Sequence, residues 1–207
     1  MQRVGGIWGR KLPPSWQVGE DLSWPLTVAL YIRDALKLPA TAPFFIPPLV
    51  PEVPEHIPVT GPELDTVLAD EWTAWFSELL ADERGIPRGG PIGYFSLELR
   101  APAFRDMVGR HFDQAAAAAD NAVEANFKHF QANMKAEGPV LTKLVRGIEK
   151  ELGHMAAPFN LGLRILPVEG FWLHRTGPNR VLMSEAARRN PEQLRRLLGP
   201  VITELAR

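Results

Sequence analysis

The chain reads as α+β, with a helical core around one long central helix, a short C-terminal antiparallel meander and a proline-rich extended arm. Three observations predict this class. Apolar residues recur at 3.6-residue spacing through the middle of the sequence, whereas period-two alternation is confined to short stretches, most of them near the C-terminus. No strand-helix-strand unit repeats, as a doubly wound sheet would require. Between Pro39 and Pro62, eight prolines are mixed with Phe44, Phe45, Ile46, Leu49, Val50, Val53, Ile57 and Val59, which fits neither a helix nor a solvated linker.

Taken in order, residues 1–38 form an N-terminal segment with one short helix. Ser23 is placed to cap it, Pro25 suits its first turn, and Leu26, Leu30, Arg33 and Lys37 continue at helical spacing. Pro39 ends it, because the residue before a proline is disfavoured in the helical region. The arm covers 39–62, and enough apolar surface lies along it to offset the entropy of ordering. Its Pro48, Pro51 and Pro54 would share one edge of a polyproline helix, but Glu52 and Glu55 stand where such ligands carry basic residues.

Residues 63–207 make the main α+β domain, and the whole chain is read as a single domain. A helix from about Pro62 to Asp82 carries the stripe Leu64, Val67, Leu68, Glu71, Trp72, Trp75, Phe76 and Leu79. Ile92 to Arg100 alternates and is expected to be a strand. Pro102 opens the longest helix, to about Ala136, with Phe104, Val108, Phe112, Ala115, Ala119, Val123, Phe127, Phe130 and Met134 close to one stripe. The small residues Ala115 to Ala119 let a neighbour approach closely. Another helix runs from Pro139 to Leu152 and stops at Gly153. Three short strands follow, at Leu161 to Ile165, Phe171 to Arg175 and Arg180 to Met183. Asn190 and Pro191 start the last helix, with a kink expected at Gly199 and Pro200.

Composition narrows the function classes. The 207 residues carry a net charge of −1, so nothing global marks a protein that coats nucleic acid or an anionic membrane. Cysteine is absent, which removes disulfides, thiolate metal ligation and a cysteine nucleophile, and suits a reducing cytoplasm. No window is apolar enough for a membrane span, and Met1 to Leu12 lacks the apolar core of a secretory signal. Arg188, Arg189, Arg195 and Arg196 cluster, but Glu185 and Glu192 are interspersed and no helix-turn-helix pattern surrounds them, which argues against nucleic acid as the partner.

Local catalytic signatures are missing. Ser77, Ser96 and Ser184 do not stand in Gly-x-Ser-x-Gly turns, and the paired glycines are too sparse for a phosphate loop. Glu151 and His154 have the spacing of a helical metal pair, but a dimetal site needs two such pairs and further carboxylates, so no metal or cofactor is expected. Asp106, Asp113, Asp120 and Glu124 lie opposite the apolar stripe of the long helix, where a solvated face belongs.

These readings lean away from an enzyme. They point to a cytoplasmic assembly or accessory protein that binds another protein or its own copy as a homo-oligomer. Its contacts are expected from Phe44, Phe45, Ile46, Leu49 and Val50 of the arm and from Trp72 and Trp75 of the helix that follows. The alternative is a small-molecule enzyme or binder with an anion-accepting pocket beside the C-terminal strands, formed by Arg164, Trp172, His174 and Arg180.

Overall fold

A computed structural model describes residues 15–38, 44–55, 62–81, 97, 100–137 and 140–207. The elements run β1 (Gln17–Leu22), α1 (Trp24–Ala35), α2 (Pro62–Ala81), α3 (Pro102–Glu137), α4 (Val140–Leu152), β2 (Asn160–Leu166), β3 (Leu173–Gly177), β4 (Arg180–Ser184), α5 (Glu185–Arg189) and α6 (Pro191–Ala206). The protein is therefore mixed α+β, with one helix far longer than the rest.

The four strands form one sheet in the order β1-β2-β4-β3. The C-terminal antiparallel pair is β3 with β4, while β2 joins the other side of β4 in parallel and β1 adds to β2, also in parallel. The register sets Asp21, Arg164, Leu182 and His174 in one row across the sheet. Because side chains alternate along each strand, the sheet divides the core in two. Leu161, Leu163, Ile165, Val181 and Met183 pack with α4 and α6, and Leu166 and Leu182 pack with α1, α2, α3 and the arm.

Local chemistry accounts for the helix ends. Ser23 has an extended backbone at the N-cap of α1, and Pro25 occupies the first turn as expected. Its hydroxyl makes no capping bond; the carbonyl instead accepts from Thr27 N at 3.0 Å and Thr27 Oγ1 at 2.8 Å. The C-terminus of α1 closes with Leu38 N donating to Arg33 O and Lys37 N to Asp34 O, a Schellman pattern with Lys37 at φ 49°. Asn190 caps α6 by accepting from Glu192 N and Gln193 N, both at 3.1 Å. That helix runs on through Pro200.

The long helix is covered by α1, and its Ala115 and Ala119 are fully buried there, which is the close approach their small size permits. Trp72 and Trp75 bind the three helices together. Trp72 Nε1 donates to Ala29 O at 2.7 Å, its ring stacks on Phe76 at 4.8 Å, and Trp75 meets Phe104 edge-on at 5.7 Å. Arg100 joins Glu71 and Glu78, fixing the start of α3 against α2.

One element departs from the sequence reading. β1 has only Leu22 buried, so it carries no apolar alternation, as befits an edge strand made of polar residues. Most of the strand expected over 92–100 lies outside the described residues; Leu97, within it, stands buried in a 3₁₀ turn.

The arm packs on its own domain over residues 44–55. Ile46, Leu49 and Val53 are buried in the core, and Leu49 forms an antiparallel bridge with Val168. Val50 N donates to Pro167 O at 2.8 Å, and Glu169 N to Pro48 O at 2.9 Å. The strongest anchor is a pair of charged side chains at the end of α1. Arg33 donates through its two terminal nitrogens to Ile46 O at 2.8 Å and Pro47 O at 2.9 Å, and Asp34 Oδ2 accepts from Leu49 N at 2.7 Å. Arg33 and Asp34 are themselves bonded at 2.6 Å, so the buried guanidinium is neutralised in place. The Val50–Pro51 peptide is cis.

Candidate functional site: a groove between the arm and the long helix

Fixing the arm against α1 leaves a gap between it and α3. A cavity of about 460 Å³ lies there, walled by Val50 to Pro54 on one side and by Ala118, Ala122 and Ala125 on the other. Tyr31, Thr27 and Pro167 close it, and Glu52, Asn121, Glu185 and Arg189 give it polar edges. The three alanines recur at i, i+4 and i+7, so their small side chains share a face of α3 and keep the groove open. Val50, 54% exposed, stands in its wall.

A second cavity, of about 350 Å³, continues along α3 beyond Arg189, which lines both. It lies outside the C-terminal ends of the parallel strands β1 and β2, where open parallel sheets commonly leave a crevice. Phe127 and Phe130 of α3 face Leu22 and Ile165 across it, with Glu20, Asp21, Asn126, Arg188 and Arg189 around them. Arg188 pairs with Glu20, and Arg189 with Glu185. The Nε of Arg189 is buried with no hydrogen-bond partner among the described residues. Burial raises the Asp21 carboxyl above its usual 3.8, and the nearby Arg164 charge pulls it part of the way back.

The expected partner-binding residues divide sharply. Phe45 and Val50 are exposed, at 64% and 54%. Ile46 and Leu49 are buried beneath the arm, and Trp72 and Trp75 are wholly enclosed. The tryptophans therefore hold the helices to one another and present no surface to a partner, a correction that follows from their size: rings this large contribute most when fully buried. Phe44 is half-buried and stacks on the His174 ring at 3.6 Å, with Trp172 at 6.4 Å from Phe44 on the same stack.

The four expected ligand-binding residues are also split. Trp172 and His174 lie under Phe44, and desolvation there lowers the His174 pKa below 6.5. Arg164 donates to the last carbonyls of α2, Leu79 O and Leu80 O, both at 3.2 Å, the favourable place for a cation at a helix C-terminus. Arg164 and Arg180 line a cavity of about 250 Å³ with Gly162, Thr176 and Val181, apart from the aromatic stack.

Other candidates resolve as structural. Glu151 pairs with Arg195, and the exposed His154 contacts the Met155 carbonyl, so the Glu-x-x-His spacing is spent on separate contacts. No group of three metal-ligating side chains gathers among the described residues. Asp106 and Asp113 face solvent, and Glu124 pairs with Lys128 at 2.7 Å. Three members of the C-terminal arginine cluster, Arg188, Arg189 and Arg195, are paired with glutamates of the same chain. No helix among the described residues is long and apolar enough to cross a membrane.

No family model matches the chain. Nor does any curated protein or solved structure. The groove is a feature that sequence reasoning missed, because it arises from the separation of the arm and α3 in space. The spaced alanines at 118, 122 and 125 are the trace of it in the sequence.

Proposed function

We propose that the protein is a non-enzymatic assembly or accessory protein of the cytoplasm that receives an apolar segment of a partner, another protein or its own copy, in the groove between the arm and α3. The observation that carries this reading is the trough of about 460 Å³ between the arm and α3, with Val50, 54% exposed, and the alanine face of α3 in its walls. The apolar lining would bury the side chains of a docked segment. Compared with the sequence expectation, the contact surface moves from Trp72 and Trp75 to Val50 and the alanine face of α3.

A photo-crosslinking residue at position 122, used in the native host, tests this. An intermolecular adduct should form, and it should be lost when the groove is filled by Asn121→Trp on the same chain. A chain that yields only uncrosslinked monomer contradicts the proposal, as does an adduct indifferent to filling.

A second reading is supported by the cavity that Arg164 and Arg180 line: a small-molecule enzyme or binder accepting an anion beside the C-terminal strands. Inorganic phosphate and nucleotides should then raise the melting temperature of the wild-type chain and not of Arg180→Ala. Equal melting temperatures with and without them would remove it.

A further inference from the structure

The sheet ends in β3 on one side and β1 on the other, and the two edges are not alike. β3 has an irregular register between Arg175 and Gly177, and the Arg175 side chain folds back onto the Gly177 and Pro178 carbonyls. A bulge and an edge cation are ordinary guards against strand addition. β1 has neither, and pairs with β2 in unbroken register from Gln17 to Leu22. Its acidic residues do not guard it either. Glu20 is neutralised by Arg188, and Asp21 lies in register with Arg164, whose charge acts on it.

The direction of the β1 backbone follows from its two ends. Gln17 N donates to Phe159 O and Ser23 N to Ile165 O, so the odd-numbered residues turn their amides and carbonyls to β2. Val18 and Glu20 therefore turn theirs outward, and these groups make no backbone hydrogen bond among the described residues. Gln17, Gly19, Glu20 and Asp21 are all exposed, so the edge is open to another strand.

We propose that β1 is the contact between two copies of this chain, which pair antiparallel about a two-fold axis at Gly19 and join their sheets into one. The register follows from what faces what. Centring the pair on Glu20 or on Asp21 sets two carboxylates directly opposite each other, which is destabilising. Centring it on Val18 overlaps the strands over residues 17–19 alone, against 17–21 for Gly19. With Gly19 at the axis, Val18 and Glu20 exchange backbone bonds across it, Gln17 faces Asp21, and Trp16 faces Leu22. The two Gly19 residues form a non-hydrogen-bonded pair, where antiparallel strands approach most closely, and a Cβ there meets nothing in its own chain.

The apolar surroundings match this register. Trp16 and Val18 already pack on the α4 and α6 side of the sheet, and the second copy continues that layer at Leu22. The same pairing brings Trp16 and Gln17 of the second copy to the end of β1, beside Phe127 and Phe130, which are 58% and 38% exposed and line a cavity with Asp21 and Leu22. A strand pair of this length is small beside the roughly 1,600 Å² of a standard interface, so the dimer should dissociate on dilution. The inference does not rest on docking in the groove between the arm and α3.

Sedimentation equilibrium of the full chain from about 1 µM to about 1 mM tests it, and the mass should rise to that of two chains by the upper end. Gly19→Lys sets two ammonium groups together at the axis and should return the mass of one chain with an unchanged circular dichroism spectrum; Gly19→Glu should do the same, and an equimolar mixture of the two should recover the dimer. Because the chain has no cysteine, Gly19→Cys adds a single thiol, and mild oxidation should link the copies at least about tenfold faster than with Gly109→Cys on the exposed side of α3. Hydrogen exchange reads the wild-type chain directly: protection at the Val18 and Glu20 amides should grow with concentration, while the Gly19 and Asp21 amides, bonded to β2, stay protected throughout. A single-chain mass at every concentration, a dimer indifferent to Gly19→Lys, a mixture of the two charged variants that stays monomeric, or oxidation no faster at position 19 than at 109 overturns the proposal. A dimer that Asn121→Trp abolishes and Gly19→Lys does not belongs to the groove and overturns it equally.

Discussion

Replacing Arg33 by Met keeps the length of the apolar stem and removes the charge that anchors the arm. Arg33 is 5% exposed and makes two hydrogen bonds to arm carbonyls, at 2.8 Å and 2.9 Å, besides its bond to Asp34. Hydrogen bonds to a charged group each contribute about 1.5–3 kcal/mol, and the abandoned Ile46 and Pro47 carbonyls would remain buried or drag the arm outward. Asp34 also loses its partner, and breaking a buried pair on one side costs about 3–5 kcal/mol. We take about 4 kcal/mol as the expected loss, which for a chain of this size lowers the melting temperature by about 10 °C. Guanidinium unfolding measures the first figure and calorimetry the second. Asp34→Asn should cost less, because its side-chain oxygen can still accept from Leu49 N. A loss below about 1 kcal/mol for Arg33→Met would refute the anchoring role and show that the arm holds without it.

Three further outcomes follow from particular contacts. The His174 pKa is lowered by desolvation, so the folded state resists protonation there; stability should fall as pH drops through 6.5 towards the lowered value, and His174→Phe, which keeps the stack with Phe44, should flatten that part of the pH profile of the melting temperature. Trp72→Phe removes the 2.7 Å bond to Ala29 O and leaves space beside Phe76, which should cost about 2 kcal/mol in denaturant unfolding. Gly109→Ala on the exposed side of α3 meets nothing within 4 Å and should stabilise by about 0.5–1 kcal/mol, whereas Gly153→Ala, at φ +76°, should destabilise by about 1 kcal/mol; equal signs would contradict the backbone argument.

Five of the helices were legible: α4 and α6 from an apolar stripe on one face, α2 and α3 from long helical periodicity, and α1, which is buried nearly all round, from Ser23 and Pro25 at its start. Gly153, with its positive φ, marks the end of α4. The strands of the C-terminal region were legible as alternation. Their order was not, since alternation shows which side of a strand is buried and says nothing of its neighbours. β1 escaped for the opposite reason: as an edge strand its side chains are mostly exposed, so no apolar pattern marks it. The five-residue α5 is too short to show a period.

For the arm, the apolar content of residues 44–55 signalled order, but its direction of packing depended on Arg33 and Asp34, which look like ordinary exposed helix residues in the sequence. The aromatic rings gave the least reliable signal. Trp72 and Phe127 both sit on apolar helical stripes, and the structure buries one and exposes the other. What separates them is tertiary: α2 packs against both α1 and α3, whereas the second half of α3 faces the end of the sheet across a cavity.

The central claim is that the arm packs on its own chain and so forms one wall of the groove. Hydrogen exchange at the Leu49 and Val50 amides tests it most directly, because those groups donate to Asp34 and to Pro167 O. Packing within the chain predicts strong protection at both amides that stays constant over about a hundredfold dilution, since it is independent of protomer concentration. Protection that is absent, or that fades on dilution as a dimer dissociates, would contradict it.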